Sequence, residues 1–291
     1  MSWRIVVISN RAKLDLQLNY LVIRNEELNK IFLNEISTLI IESTAVSMTA
    51  ALLNELIKRK IKVIFCDEKR NPSSELLPYY GSHDSSNKIR KQIEWSQNIK
   101  DLVWTEIVSE KIKKQRDLLK KVEKEEESRL LSSYIDEIQL KDSTNREGHA
   151  AKVYFNALFG LQFTRAADVP TNAALNYGYA LLASAFNREI VANGYLTQLG
   201  IFHDNMFNQF NFAYDLIEPY RPLVDAKVFS MNPIKFDSEE KVQLLSILNS
   251  EIHIDGKNHY VNNGIRIYCK SVLDAINDED ISKICFYSNE L

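Results

Sequence analysis

Across the first seventy residues, apolar and polar positions follow strand-like rather than helix-like periods. LDLQL (Leu14 to Leu18) alternates apolar and polar with period two, as a half-buried strand does, and TLIIES (Thr38 to Ser43) and KVIFCD (Lys62 to Asp67) are short, β-prone apolar runs. Between the last two, MTAALLNELIKRK (Met48 to Lys60) sets Leu52, Leu53, Leu56 and Ile57 at helical spacing, so a strand, helix, strand unit closes this part. No G-x-G-x-x-G or Walker loop accompanies it, so the unit reads as a scaffold and not as a nucleotide site.

Residues 71 to 88, NPSSELLPYYGSHDSSNK, contain two prolines, a glycine and five serines, which break both periods and mark a linker. Helical patterns then dominate from Ile89 to about Leu248, and the Asp255–Gly256 pair inside EIHIDGKNHYV predicts a small hairpin near the end. No repeat of solenoid length is visible. The expected fold class is α+β: a small N-terminal β-rich, β-sandwich-like domain over 1–70, a linker over 71–88, and a larger, mostly α-helical domain over 89–291.

Composition narrows the class. At 291 residues, 45% apolar and 26% charged, the chain is long enough for two soluble domains, and no run approaches the ~18 apolar residues of a membrane span. WRIVVI (residues 3 to 8) is too short and too early for a signal peptide, so a cytoplasmic protein is the expectation. Cys66, Cys269 and Cys285 are scattered through apolar stretches, which suits reduced core thiols better than disulfides or a zinc cluster.

The net charge of -3 is unevenly spread: 16 Lys and Arg against 13 Asp and Glu between Lys88 and Arg165, then 8 against 14 from Asp204 onward. Within the basic middle, KIKKQRDLLKK (Lys111 to Lys121) places Lys111, Lys113, Lys114 and Arg116 close together. Such a run reads either as a face that tracks a phosphate backbone or as plain solvated surface.

One carboxylate sits awkwardly. In NREGHAAKVYF (residues 145 to 155), helical counting from Glu147 reaches Ala150, Ala151, Tyr154, Leu158 and Leu161, so the acid heads an apolar stripe. Thr144 and Glu147 have the T-x-x-E spacing of a capping box, in which case the acid curls back along its own helix. Alternatively a cation meets it from outside, since an unpaired carboxylate on a core-facing stripe is costly.

Two other segments offer ligand types. GIFHDN places His203 after a glycine where the chain can turn, and a lone histidine there also fits a plain core or surface role. In FAYDLIEPYRPLVD, Asp215 and Glu218 are three apart, with Arg221 a further turn along. Pro219 and Pro222 remove the hydrogen bonds to the carbonyls four residues back, those of Asp215 and Glu218, which opens the turn. Glu218 could instead be a cap-like residue before Pro219. Two carboxylates and an imidazole from separate segments would give a divalent cation mixed oxygen and nitrogen ligands.

Four segments in order and approximate spacing, REGHAAKVYF (Arg146 to Phe155), DVPTNAALNYGYALL (Asp168 to Leu182), GYLTQLGIFHDN (Gly194 to Asn205) and DLIEPYRPLVD (Asp215 to Asp225), resemble the CRISPR adaptation integrase family, which inserts new spacers into the array. The N-terminal TLIIES, KVIFCD and NPSSELLP segments are similar to that family's first domain, so the likeness covers nearly the whole chain. Chain length and the glutamate at 218, where many members carry aspartate, resemble the branch found beside single-protein RNA-guided nucleases.

The resemblance implies a metal site of Glu147, His203 and Glu218, with Asp215 as the supporting acid, loaded with Mg2+ or Mn2+ and acting on double-stranded DNA. It implies a homodimer through an N-terminal β domain, an α-helical catalytic domain, and a larger assembly with a small ferredoxin-like adaptation subunit. Arg146, Lys111, Lys113, Lys114 and Arg116 are the expected DNA-backbone contacts. A free-standing structure-specific nuclease and a non-catalytic DNA-binding scaffold subunit are the competing expectations.

Overall fold

The alternation in LDLQL becomes a strand, and the apolar runs after it become two more. The computed structural model describes residues 4–78 and 82–288 and divides into two units, Met1–Gly81 and Ser82–Leu291. Trp3 of the WRIVVI run and residues 79–81 of the expected linker lie outside the described residues.

In the first unit β1 (Arg4–Ile8), β2 (Ala12–Gln17), β3 (Tyr20–Arg24), β4 (Leu28–Phe32), β5 (Ile36–Ile41), β6 (Val46–Met48), β7 (Lys62–Cys66) and β8 (Pro72–Glu75) form two four-stranded sheets. One has the order β1-β5-β7-β8, parallel except for β8, and the other has the order β4-β3-β2-β6. β5 is buried at every position, as a central strand covered on both faces should be. The helix α1 (Ala50–Lys58), started by Thr49 accepting from the Leu52 amide, lies in the crossover between parallel β5 and β7. Leu52 and Leu56 of α1 share one core with Leu14 and Leu21 of one sheet and Leu39 and Val63 of the other, so the unit is sandwich-like.

The expected linker is only partly a linker. Pro72–Glu75 adds a strand to the sheet, and Ser85 already begins a helix. An edge strand needs backbone pairing on one side only, so a proline and two serines, which hide any apolar period, are tolerated there.

The second unit holds α2 (Ser85–Glu94), α3 (Gln97–Lys121), α4 (Glu125–Asp136), α5 (Arg146–Phe159), α6 (Pro170–Ala192), α7 (Asn211–Leu216), α8 (Arg221–Met231), α9 (Ser238–Leu245) and α10 (Val261–Asn277). The hairpin of β9 (Glu251–Ile254) and β10 (Lys257–Tyr260) precedes α10, and its turn has positive φ at both Asp255 (53°) and Gly256 (69°), the conformation a two-residue turn favours. Helix α3 packs against α4, α5, α8 and α10, and α6 against α7 to α10. The buried stripe of α3 runs through Val103, Ile107, Val108, Ile112 and Leu119 and also contains Lys111. A lysine within that stripe has to meet anions inside the unit.

Candidate functional site

The turn before α5 explains where Glu147 points. Lys141, Asp142 and Asn145 all have positive φ (63°, 51° and 52°), which curls the chain so that side chains meet the first amides of the helix. Asp142 accepts from the amides of Arg146 (2.7 Å) and Glu147 (2.9 Å), and Asn145 accepts from that of Gly148 (3.3 Å). Of the two alternatives, the capping box of Thr144 and Glu147 is therefore not formed: other side chains satisfy those donors, and the Glu147 carboxylate is released outward. Below it Ala150, Tyr154 and Leu158 are buried as the stripe predicts, but the helix ends at Phe159 and Leu161 lies beyond it, exposed.

Glu147 meets α3. Its Oε1 lies 2.5 Å from Nζ of Lys111, and Oε2 of Glu218 lies 2.5 Å from the same nitrogen. Two carboxylates from segments 71 residues apart thus face one cation position. The other oxygen of Glu218 accepts from Nε of Arg221 at 2.9 Å. Burial alone would raise the Glu218 carboxyl, but Arg221 and Lys111 outweigh it and hold the group below its usual range. Burial would likewise depress the Lys111 ammonium, and Glu218 and Glu147 reverse that and hold it above the ordinary lysine value.

The prolines act as the spacing predicts. α7 ends at Leu216, one 3-10 turn covers Glu218–Tyr220, and α8 starts at Arg221. Asp215 and Glu218 therefore do not share one continuous helical face, and they do different work. Glu218 caps no helix.

Asp215, fully buried, organises the loop that carries His203. It accepts from the amides of Ile201 (2.6 Å), Phe202 (3.2 Å) and His203 (3.0 Å), and its Oδ1 lies 2.7 Å from Nδ1 of the His203 ring. Gly200 permits this closeness, because a Cβ there would stand 2.5 Å from the His203 carbonyl oxygen and 2.6 Å from Oδ2 of Asp215. From α2, Gln92 donates to the carbonyls of Leu196 and Leu199, and Trp104 of α3 stacks on Phe202 with ring centroids 4.2 Å apart. The Asp215 bond holds the His203 imidazole above its ordinary pKa against the opposing effect of burial, and the charges of Glu218 and Glu147 act in the same direction.

Glu147, Glu218 and His203 are the side chains here able to ligate a metal. Among the described residues no three His, Cys, Asp or Glu side chains are already gathered as a cage, and the point between the two glutamates is filled by the Lys111 ammonium. Lys111, expected as a DNA-backbone contact on an exposed basic face, is corrected: it is 7% exposed and points into the unit. Lys114 is also turned inward, donating to the Tyr287 carbonyl at 2.5 Å. Lys113 pairs with Glu110, Arg116 with Asp117 and Arg146 with Glu137, the last also lying over the Tyr134 ring. Lys111, Lys113, Lys114 and Arg116 of α3 thus do not form a single face.

Behind Glu218 lies a set that sequence reasoning missed. Buried Asp225 of α8 accepts from the hydroxyls of Tyr154 (2.9 Å) and Tyr179, and the Arg221 guanidinium lies 4.6 Å from the centre of the Tyr179 ring. Nothing in the local pattern marks these tyrosines, which fall on apolar stripes like any core residue.

The sequence family described as CRISPR associated protein Cas1 matches residues 5–241 of the chain. This chain belongs to the Cas1 family. A relative from Neisseria meningitidis serogroup C (strain 8013), named CRISPR-associated endonuclease Cas1, is 38% identical over 232 residues, 79% of this chain and 76% of its own length. Among solved structures, a casposase bound to integration product superposes with a TM-score of 0.75 at 18% identity, covering 97% of this chain and 94% of that one. A chain of a Cas6-RT-Cas1–Cas2 complex superposes with a TM-score of 0.73 at 16% identity, covering 99% of this Cas1 chain and 36% of the larger one. These likenesses establish the Cas1 fold, a strand-rich first part followed by a mostly helical one. Among the described residues no helix is long and apolar enough to cross a membrane.

Proposed function

We propose that this chain is a metal-dependent DNA integrase and endonuclease that joins the 3′ hydroxyl ends of prespacer DNA into the leader-proximal repeat of a CRISPR array by transesterification. The observation that carries this reading is the convergence of Glu147 and Glu218 on one cation position, with the His203 imidazole separately oriented by Asp215. Membership of the Cas1 family, the endonuclease name of the relative and the integration product held by the casposase support the DNA chemistry.

The residues fit a divalent ion, because the point between the two glutamates already holds a positive charge and the donor set mixes oxygen and nitrogen. Glu147, Glu218 and the free ring nitrogen of His203 would hold Mg2+ or Mn2+. When bound, the ion would supply Lewis acidity at the phosphoryl oxygen and lower the pKa of the attacking hydroxyl. The rest is done by the chain. Asp215 keeps the His203 ring in one orientation, and Arg221 fixes one oxygen of Glu218, leaving the other directed inward. One phosphodiester is exchanged for another, so no nucleotide need be hydrolysed, in keeping with the missing Walker loop.

For grip on double-stranded DNA, Arg146, Lys113 and Arg116 are the candidate backbone contacts, since Lys111 and Lys114 face inward. A homodimer through the N-terminal β unit, and a larger assembly with a small ferredoxin-like adaptation subunit, complete the reading. The test is to incubate the chain and its adaptation subunit with prespacer DNA, a supercoiled array plasmid and Mn2+. Joined products at the leader-proximal repeat are expected, and Glu147→Gln should remove them. Cleavage of branched DNA without any joining would favour a structure-specific nuclease with the same site and water as nucleophile. Neither product would leave a scaffold subunit.

A further inference from the structure

Lys111 stands at the centre of the site, and the expected ligand set gives it no task there. It reaches the site from α3, where Ile107 and Val108, one turn back on the same face, are also buried, so the ammonium sits on a core-facing stripe and not in solvent. Its Nζ stands 2.5 Å from one oxygen of Glu147 and 2.5 Å from one of Glu218. Glu218 is 3% exposed, and without a cation beside it two carboxylates would face each other in a poorly solvated space.

An ion ligated by either of these oxygens would lie roughly 2.1 Å from it, as Mg2+ does. It would then stand against an ammonium 2.5 Å from the same atom, and two cations sharing one carboxylate oxygen at those distances repel strongly. The ammonium and an ion ligated by these two oxygens therefore compete for the same position. Arg221 does not compete in this way, because it occupies the opposite oxygen of Glu218.

We propose that Lys111 is a positioning residue that acts as a tethered placeholder cation: it holds the Glu147 and Glu218 carboxylates together before metal arrives and is displaced when metal binds. The proposal rests on the metal-site reading above and adds a direct competition inside the site. Entry of the ion replaces two charge-assisted contacts with ligand bonds, so the apparent affinity of the protein for metal is weaker than that of the carboxylates alone. The benefit is order: the two acids, which come from α5 and from the turn before α8, stay in register without the ion. No proton or bond changes hands other than the ligand exchange itself.

The test uses the full chain with Mn2+ alone. Lys111→Met keeps the length and apolar stem and removes the charge, and Lys111→Arg keeps the charge. Without metal, Lys111→Met should melt at a lower temperature than the wild type. Its Mn2+ affinity by calorimetry should be tighter by about tenfold or more, the equivalent of losing one charge-assisted contact, and its Mn2+-induced rise in melting temperature should be larger. Lys111→Arg should keep the weaker, wild-type-like affinity. A folded Lys111→Met protein that binds Mn2+ no more tightly than a wild type that does bind it overturns the placeholder and leaves the metal site standing. A wild type that binds no Mn2+ overturns both. Should Lys111→Met not fold, a crystal of the wild type soaked in Mn2+ decides: displacement of Nζ beyond about 4 Å from both carboxylates supports the proposal, and an ammonium still touching both beside a bound ion ends it.

Discussion

Nδ1 of His203 lies 2.7 Å from Oδ1 of Asp215. That carboxylate already accepts from the neighbouring amides, so Nδ1 is the donor to it, and in the neutral imidazole Nε2 then presents its lone pair. The same carboxylate also accepts three consecutive backbone amides, from Ile201 to His203, so ring and loop are held by one group. In Asp215→Asn one oxygen would be replaced by an NH2 group facing donors. The variant should lose about 2–3 kcal/mol of stability, from an amide left facing donors in a buried site. Its Mn2+ affinity should fall roughly 10- to 100-fold, as when the partner of a ligating histidine is removed. Thermal unfolding and calorimetry read the two effects separately, and unchanged affinity in a folded variant would mean that ring orientation does not matter to the ion.

Glu147→Gln and Glu218→Gln should both abolish metal-dependent strand transfer, but they should differ in stability. The Glu147 side chain is 26% exposed, so its replacement should leave the melting temperature nearly unchanged. Glu218 is buried between Lys111 and Arg221, and removing its charge leaves two cations facing each other, a loss of roughly 3 kcal/mol on the scale of broken buried pairs. Urea unfolding of the two variants side by side is the measurement. Equal losses would show that Glu218 is not the anchor of the cluster.

The start of α5 gives a third outcome. Asn145→Ala removes the cap on the Gly148 amide and places alanine at a φ of 52°, so a loss of about 1–2 kcal/mol is expected. Thr144→Ala removes a hydroxyl that makes no hydrogen bond and should stay within about 0.5 kcal/mol of the wild type. If Thr144→Ala were the more damaging of the pair, the capping box would be the operative arrangement after all.

These residues also show what a linear reading reaches. LDLQL and the Asp255–Gly256 turn are local patterns, and β2 and the β9–β10 hairpin follow from neighbouring residues alone. The short strand β8 is hidden because its pairing is made by backbone atoms while its side chains, Pro72 to Glu75, follow no period. Thr144 and Glu147 have the spacing of a capping box, and spacing alone could not choose between that and an outward-facing acid, because Asp142, five residues back, reaches the Glu147 amide through a turn with positive φ that no spacing rule foresees. Lys111 was legible in part: its phase matches Ile107, Val108 and Ile112, but a run of six basic residues reads as surface when charge is counted without phase. What meets Lys111, at positions 147 and 218, depends on how α5 and the turn before α8 pack on α3, which local periodicity does not encode.

Asp225 predicts a pH dependence. It is buried with the hydroxyls of Tyr154 and Tyr179 donating to it, and burial pushes its carboxyl from 3.8 up to about 6, while the two tyrosine bonds and the Arg221 and Lys111 charges pull the other way. The folded protein thus binds this proton more tightly than the unfolded chain does. The stabilisation this provides is complete below about pH 4 and is lost as pH rises through about 6. A difference of about two pH units corresponds to roughly 3 kcal/mol. Asp225→Asn cannot titrate, so the stability of the wild type minus that of the variant should fall by roughly that amount between about pH 4 and pH 7. Groups that titrate in both proteins cancel in the difference where they are distant from Asp225. Denaturant unfolding at successive pH values measures it, and a difference that stays flat, or that grows with pH, would mean Asp225 is ionised throughout and is held by its tyrosines more strongly than burial opposes it.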